Sequence, residues 1–325
     1  MTVAIAFNQH SSLPLHQLEA LGSSIMQFFQ GASFVVCRGY GHHYCPAAEV
    51  LEIERQSDYK AQLAVMVDAL LAKNPTYLVS VGGDGLASYI ASQIVRRKAE
   101  VILLGIAAGT ANVGPIVSCT PEEFANLEPS DLEEVSIDGV AVSDDSGFLG
   151  VGFNDVILGN SFLGTENGVC CNLSVEELLL HDARVPIQVG KRLVTDQFSI
   201  TVDGVKKVYN GGVPVEQIVI TPLQFDRLYG RAIFGGLCLG RERESLAAVG
   251  LCSRNVVDCN PEAWNYSDFT TIQHLVVPAN SSVEFASLGP DAHIIIDGNP
   301  FLRNGKVICS LIPGVVKALK HKRGW

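Results

Sequence analysis

The sequence predicts an α/β domain with a doubly wound parallel sheet, followed by a mostly antiparallel, sandwich-like β domain. Strand and helix patterns alternate through the first third of the chain, as a parallel sheet with helices on both faces requires. Farther along, helical periodicity fades into short alternating runs separated by Asp138-Gly139, Asp203-Gly204, Asn210-Gly211, Asp297-Gly298 and Asn304-Gly305, which are hairpin signals. The boundaries expected are 1–125 for a nucleotide-binding α/β domain and 126–311 for a β-rich substrate-binding domain, with the tail 312–325 packing back on the first.

Val3 to Phe7 reads as the first strand, Leu15 to Phe29 as an amphipathic helix and Phe34 to Cys37 as the second strand. Tyr59 to Leu71 is a helix with Leu63, Val67, Leu70 and Leu71 on one face. A strand ending at Val81, a helix over 84–97 and a strand over 101–104 complete the alternation. In the second part, Phe198 to Val202 followed by Asp203-Gly204 is a well-marked hairpin. Leu180 to Lys191 fits neither period, Arg241 to Leu246 reads as a helical turn or charged loop, and the basic tail Lys317 to Arg323 predicts a short closing helix.

With 325 residues, 47% hydrophobic and 18% charged, the chain can bury a sizeable core. A formal net charge of −11 offers no basic field for nucleic acid. An anionic small molecule remains compatible, because backbone amides can neutralise it locally. The nine cysteines are scattered and read as reduced thiols. The most apolar stretch, 101–117, is broken by Thr110, Asn112 and Pro115 and is too short to span a membrane. The N-terminus has a strand pattern in place of a secretory leader, and the expected setting is cytoplasmic without membrane association.

The chemistry is concentrated after the strand Tyr77 to Val81, where Gly82, Gly83 and Gly85 surround Asp84. Glycines at a strand end let backbone N–H groups close on an anion. A carboxylate in a phosphate cradle is repelled unless it holds a cation or takes a proton from an attacking hydroxyl, which points to phosphoryl transfer. After the next strand comes a second glycine loop, Gly105 to Gly114, in which Gly109, Thr110 and Asn112 could line the opposite wall of one cleft.

The Gly82-Gly83-Asp84-Gly85 core, followed by Gly105-x-x-x-Gly109-Thr110-Ala111-Asn112, resembles the superfamily of NAD kinases and diacylglycerol/sphingosine-type lipid kinases. Gly152-Phe153-Asn154-Asp155-Val156-Ile157, Val219-Ile220-Thr221-Pro222 and Ile296-Asp297-Gly298 are similar to further NAD kinase segments and follow in the same order. The resemblance implies a homo-oligomeric kinase of NADP biosynthesis that uses ATP or polyphosphate as donor, Mg²⁺ as helper and NAD or a related nucleotide as substrate. It assigns Asp84 as the base for the acceptor hydroxyl, and Asn154 and Asp155 to the dinucleotide. Gly109-Thr110-Ala111-Asn112 lies nearer the lipid kinases, so a lipid or polyol kinase is an alternative. Leu86 stands where the family carries Thr, and Leu223 to Arg231 replaces a Thr-Gly-Ser-Thr-Ala-Tyr run, which motivates a non-catalytic nucleotide-binding regulator as a third reading.

Simpler roles compete at each position. Asp84 could merely cap a helix, the second loop could be a connection needing small residues, and Asn154-Asp155 could be turn residues. His42, His43 and Cys45 lack zinc-site spacing, Cys170-Cys171 lacks redox spacing, and Arg227 and Arg231 read as loop residues or anion ligands. No P-loop, nucleophile-elbow or zincin motif is present in the sequence.

Overall fold

In a computed structural model, the chain is described over residues 1–9, 11, 13–109, 114–166, 169–187, 191–224, 245–256 and 269–322. It divides into two compact units, Met1–Ile137 with Gly314–Trp325, and Asp138–Pro313. The first unit thus runs past residue 125, since Leu132 packs in its core, and it regains the chain at Gly314.

The first unit is built from β1 (Thr2–Phe7), α1 (Leu15–Phe28), β2 (Ser33–Cys37), β3 (Glu49–Leu51), α2 (Tyr59–Leu71), β4 (Tyr77–Gly82), α3 (Asp84–Arg97), β5 (Ile102–Ala107), β6 (Val117–Cys119) and α4 (Pro121–Phe124). The strands β3-β2-β1-β4-β5 lie side by side and all run parallel. Their continuous Val/Ile/Leu/Ala runs are what a sheet covered on both faces demands. Winding proceeds from β1 toward β3, then reverses to β4 and β5, so the switch point falls between β1 and β4.

Helix α1 buries Leu18, Leu21 and Ile25, one face at the helical period, each contributing about 1.5–3 kcal/mol of burial. Asp58 caps α2 by accepting the Ala61 N–H at 2.6 Å. That helix buries Leu63, Met66, Val67 and Leu70, and Met66 takes the place expected for Leu71. Helix α3 is buried at every position from Leu86 to Ile94. Arg97 at its end pairs with Asp68 of α2 at 2.6 Å.

The second unit takes in the later part of β7 (Leu132–Asp144), then β8 (Gly147–Gly152), β9 (Val156–Gly159), β10 (Ser161–Glu166), β11 (Val169–Ser174), α5 (Val175–His181), β12 (Val194–Val202), β13 (Val205–Lys207), β14 (Gln217–Pro222), β15 (Leu246–Cys252), β16 (Ile272–Pro278), β17 (Ser282–Leu288), β18 (His293–Ile296), β19 (Asn299–Phe301) and the start of β20 (Val307–His321). One antiparallel sheet has the order β16-β15-β14-β9-β18-β19. A second antiparallel group, β13-β12-β17-β20, closes over it. Val156, Leu158, Ile218 and Ile294 of the one share a core with Ile200, Val283, Phe285 and Cys309 of the other. The outer face of the first sheet is covered by the β10–β11 hairpin and α5, through Ile157, Val219 and Ile295 against Phe162, Leu163 and Val175.

The hairpin signals hold at Asp203-Gly204 and Asp297-Gly298, where both residues have positive φ (51° and 76°, 45° and 77°), as a type I′ turn requires. Asp138-Gly139 is no turn. It lies inside β7, where the Asp138 carboxylate accepts the Ser245 N–H and its own N–H donates to Gln224. The closing helix expected over 317–323 is also corrected, because β20 continues to His321. Val316, Ala318 and Lys320 alternate inward with exposed Lys317, a strand period that the run of basic residues conceals. Among the described residues of the ambiguous 180–191 segment, only Leu180 and His181 belong to α5.

Candidate active site

Strand β4 ends on Gly82, Gly83 is the N-cap of α3, and Asp84 is the first helical residue. The capping role considered for Asp84 therefore falls to Gly83. The Asp84 carboxylate reaches across to the second glycine loop, where Oδ1 accepts the Gly114 N–H at 2.9 Å. Asp84 is 9% exposed, at the helix N-terminus, where the helix dipole favours negative charge.

The two loops touch along their backbones. Ala108 N–H donates to Gly82 O at 2.9 Å. A Cβ on Gly109 would stand 2.5 Å from Gly83 Cα and 2.6 Å from Gly83 N, so no larger residue fits without parting the loops. From β1, the Asn8 N–H donates to Val81 O at 2.8 Å, and the Ser11 hydroxyl donates to Ala108 O at 3.1 Å. Gly82, Gly83, Asp84, Gly109 and Gly114 thus converge on the carboxyl edge of the parallel sheet, beside its switch point. Thr110 and Asn112 lie outside the described residues, as do Arg227, Tyr229, Arg231 and most of the 241–246 segment.

Gly85 differs from its neighbours. A Cβ there would meet nothing within 4 Å, so the fold does not require glycine at this position. The open space lies in the first turn of a 14-residue helix, where the helix dipole favours an anion such as phosphate. Leu86 is buried at 4% exposure against Gly82.

The same sheet edge carries a cavity of about 460 Å³ that the sequence reading missed, lined by Gln9, Arg38, Tyr40, Arg55, Tyr59 and Gln62 among others. Arg38 directly follows β2, a position whose significance depends on strand order. It pairs with Glu52 at 2.5 Å, and each group holds the other charged. The Tyr40 hydroxyl is buried without a hydrogen-bond partner, and desolvation pushes it up to about 12. Lys60, half-buried at the start of α2, is lowered to about 8 by desolvation, against the opposing pull of Asp58.

Asn154 and Asp155 belong to the second unit, in the turn between β8 and β9. Both are buried, at 8% and 5% exposure. Asp297 anchors this turn. Its Oδ2 accepts the Phe153 N–H at 2.7 Å, and Oδ1 accepts those of Asn154 and Asp155 at 2.8 and 2.9 Å. The buried Thr221 hydroxyl donates to Asn154 O at 2.8 Å. In the sequence, Asp297 and Thr221 stood only as motif residues; here they fix the backbone that presents Asn154 and Asp155.

His42 and His43 stack at 3.7 Å between ring centroids, and the Gly39 N–H donates to His42 Nδ1. Cys45 is buried, with its thiol pushed up to about 12. Among the described residues, no group of three or more His, Cys, Asp and Glu residues is arranged to hold a metal, and no helix is long and apolar enough to cross a membrane.

No protein-family model matches the chain. An uncharacterized protein of Archaeoglobus fulgidus is 28% identical over 280 residues, covering 84% of this chain and 85% of that one. Among solved structures, a proposed diacylglycerol kinase from Bacillus anthracis str. Sterne superposes with a TM-score of 0.60 at 13% identity, covering 100% of this chain and 98% of the other. Yeast NADH kinase complexed with NADH gives a TM-score of 0.53 at 11% identity, covering 99% and 83%. The chain shares the two-domain fold of these solved kinase structures.

Proposed function

We propose that the protein is a phosphotransferase that moves the terminal phosphoryl group of ATP to a hydroxyl of NAD or a related nucleotide. The observation that carries this reading is the meeting of two glycine loops around Asp84, with open space over Gly85. The amides at the start of α3 bind phosphate oxygens, and the Gly114 N–H orients the Asp84 carboxylate by holding Oδ1. Oδ2 then accepts the proton of the acceptor hydroxyl as its oxygen attacks phosphorus in line. ATP would supply the phosphoryl group, and Mg²⁺ carried on its phosphates would neutralise their charge.

The 460 Å³ cavity takes the nucleoside end of the donor, with Tyr59 as a stacking surface, Gln9 and Gln62 as amide partners and Arg55 as a cation. Asn154 and Asp155, in their anchored turn, are read as dinucleotide-binding residues of the β-rich unit. The α/β unit is read as nucleotide-binding, the β-rich unit as substrate-binding, and the assembly as a cytoplasmic homo-oligomer.

Incubation with MgATP and NAD is expected to yield NADP. Product formed equally by Asp84→Asn would remove that residue from the chemistry. The run Gly109-Thr110-Ala111-Asn112 favours a second acceptor class, lipids or polyols. Phosphorylation of diacylglycerol in mixed micelles, with NAD untouched, would establish it.

A further inference from the structure

Lys320 occupies an inward position near the end of β20 and is 3% exposed. Lysine is almost never this deeply buried unless something nearby stabilises its charge. Strand β5 pairs with β20 at Ile102 and Leu103, and with β6 at Gly105 and Ile106. The end of β20 therefore runs beside β6, where the Ser118 hydroxyl donates to Leu319 O at 2.5 Å and Lys320 Nζ donates to Val117 O at 2.7 Å. The turn that leads into β6 includes Gly114, whose N–H binds Asp84. This short 114–117 segment is thus held at one end by the Asp84 carboxylate and at the other by the Lys320 side chain. Its packing is tight: a Cβ on Gly105 would stand 2.5 Å from Ile116 O and 2.7 Å from Val117 Cα.

Burial drives Lys320 well below its ordinary range, and Cys119 and Asp84 oppose that shift. The Cys119 thiol is itself pushed up to about 12 by desolvation and carries no charge near neutral pH. Asp84 is then the carboxylate whose charge favours the protonated form of Lys320 against its burial.

We propose that Lys320 is a positioning residue for Asp84, a buried cation behind the second glycine loop that balances the carboxylate and holds the 114–117 turn against it. The inference rests on the reading of Asp84 as proton acceptor. A base placed beside a polyanionic donor must stay ionised where negative charge accumulates, and a positive charge on the neighbouring strand lowers that cost.

Urea unfolding of the wild type, Lys320→Met, Asp84→Asn and the double variant at pH 7 reads the pairing without any turnover. The loss caused by Lys320→Met should shrink by about half or more in the Asp84→Asn background. Equal losses in both backgrounds overturn the inference. Lys320→Gln, which keeps a donor for Val117 O, carries the same cycle if the Met variant does not fold. In turnover with MgATP and NAD, Lys320→Met should lower kcat about tenfold or more with KM for ATP little changed, whereas a raised KM with intact kcat would contradict a role through Asp84. A wild-type protein without turnover would defeat the phosphotransferase reading, while the unfolding cycle would still decide whether Lys320 pairs with Asp84.

Discussion

Gly85 and Gly109 both belong to the glycine loops, yet the structure assigns them opposite sensitivities. Gly85 lies in the first turn of α3 with nothing within 4 Å of a built Cβ. Replacing it with Ala removes backbone freedom from the unfolded chain and introduces no clash, which should stabilise the fold by about 0.4–1 kcal/mol. Gly109→Ala places a methyl 2.5 Å from Gly83 Cα, where backbone must move, at a cost of about 1–3 kcal/mol or more. Melting temperatures should therefore rise by about 1–4 °C for the first variant and fall for the second. Calorimetric titration with MgATP supplies the other half of the test. If the space over Gly85 belongs to a phosphate, Gly85→Ala should bind MgATP about tenfold or more weakly despite its higher melting temperature. A Gly85→Ala protein that melts higher and binds MgATP as well as the wild type would refute the cradle.

Asp297→Asn keeps one carbonyl oxygen for the Asn154 and Asp155 N–H groups but turns an amide toward the buried Phe153 N–H. A loss of about 2–3 kcal/mol in urea unfolding is expected, together with weaker nucleotide binding; an unchanged midpoint would show that the turn does not depend on the charge. Lys60 is lowered to about 8 in the fold by desolvation, below its unfolded value near 10.5. The unfolded chain therefore holds the extra proton between these values, so stability should rise with pH from about 8 to 10.5. Lys60→Met should flatten that rise in a pH series of melting curves; an identical rise in the variant would assign it elsewhere.

Much of the α/β unit was legible because its strands are buried on both faces and its helices alternate with them. Leu18, Leu21 and Ile25 mark one helix face, and the limits of α2 and α3 follow from sequence alone. The antiparallel character of the second unit was legible from turn chemistry at Asp203-Gly204 and Asp297-Gly298, where positive φ demands such residues. Asp138-Gly139 misled for a physical reason. A buried Asp that satisfies distant backbone and side-chain groups reads locally like a turn residue. The tail misled because Lys317, Lys320 and Lys322 suggest a solvated helix, whereas Lys320 points inward to a carbonyl.

At the site, glycine spacing marked both loops and Asp84, but the link from Asp84 to Gly114 depends on which strands are neighbours. The cavity beside Arg38 likewise exists only once β3-β2-β1-β4-β5 order is known. Asp297 was visible as a hairpin residue; its grip on the 153–155 backbone, 142 or more positions away in sequence, was not.

The central claim is that Asp84 accepts a proton while a phosphoryl group is transferred beside the two glycine loops. Phosphorus NMR of MgATP with NAD, in the presence of wild type or Asp84→Asn, tests it most directly. The account predicts a new phosphomonoester resonance and matching ADP with the wild type, and at least about a hundredfold slower appearance with the variant. Equal rates in the two proteins, or a triphosphate left intact by the wild type with NAD and with diacylglycerol alike, would contradict it.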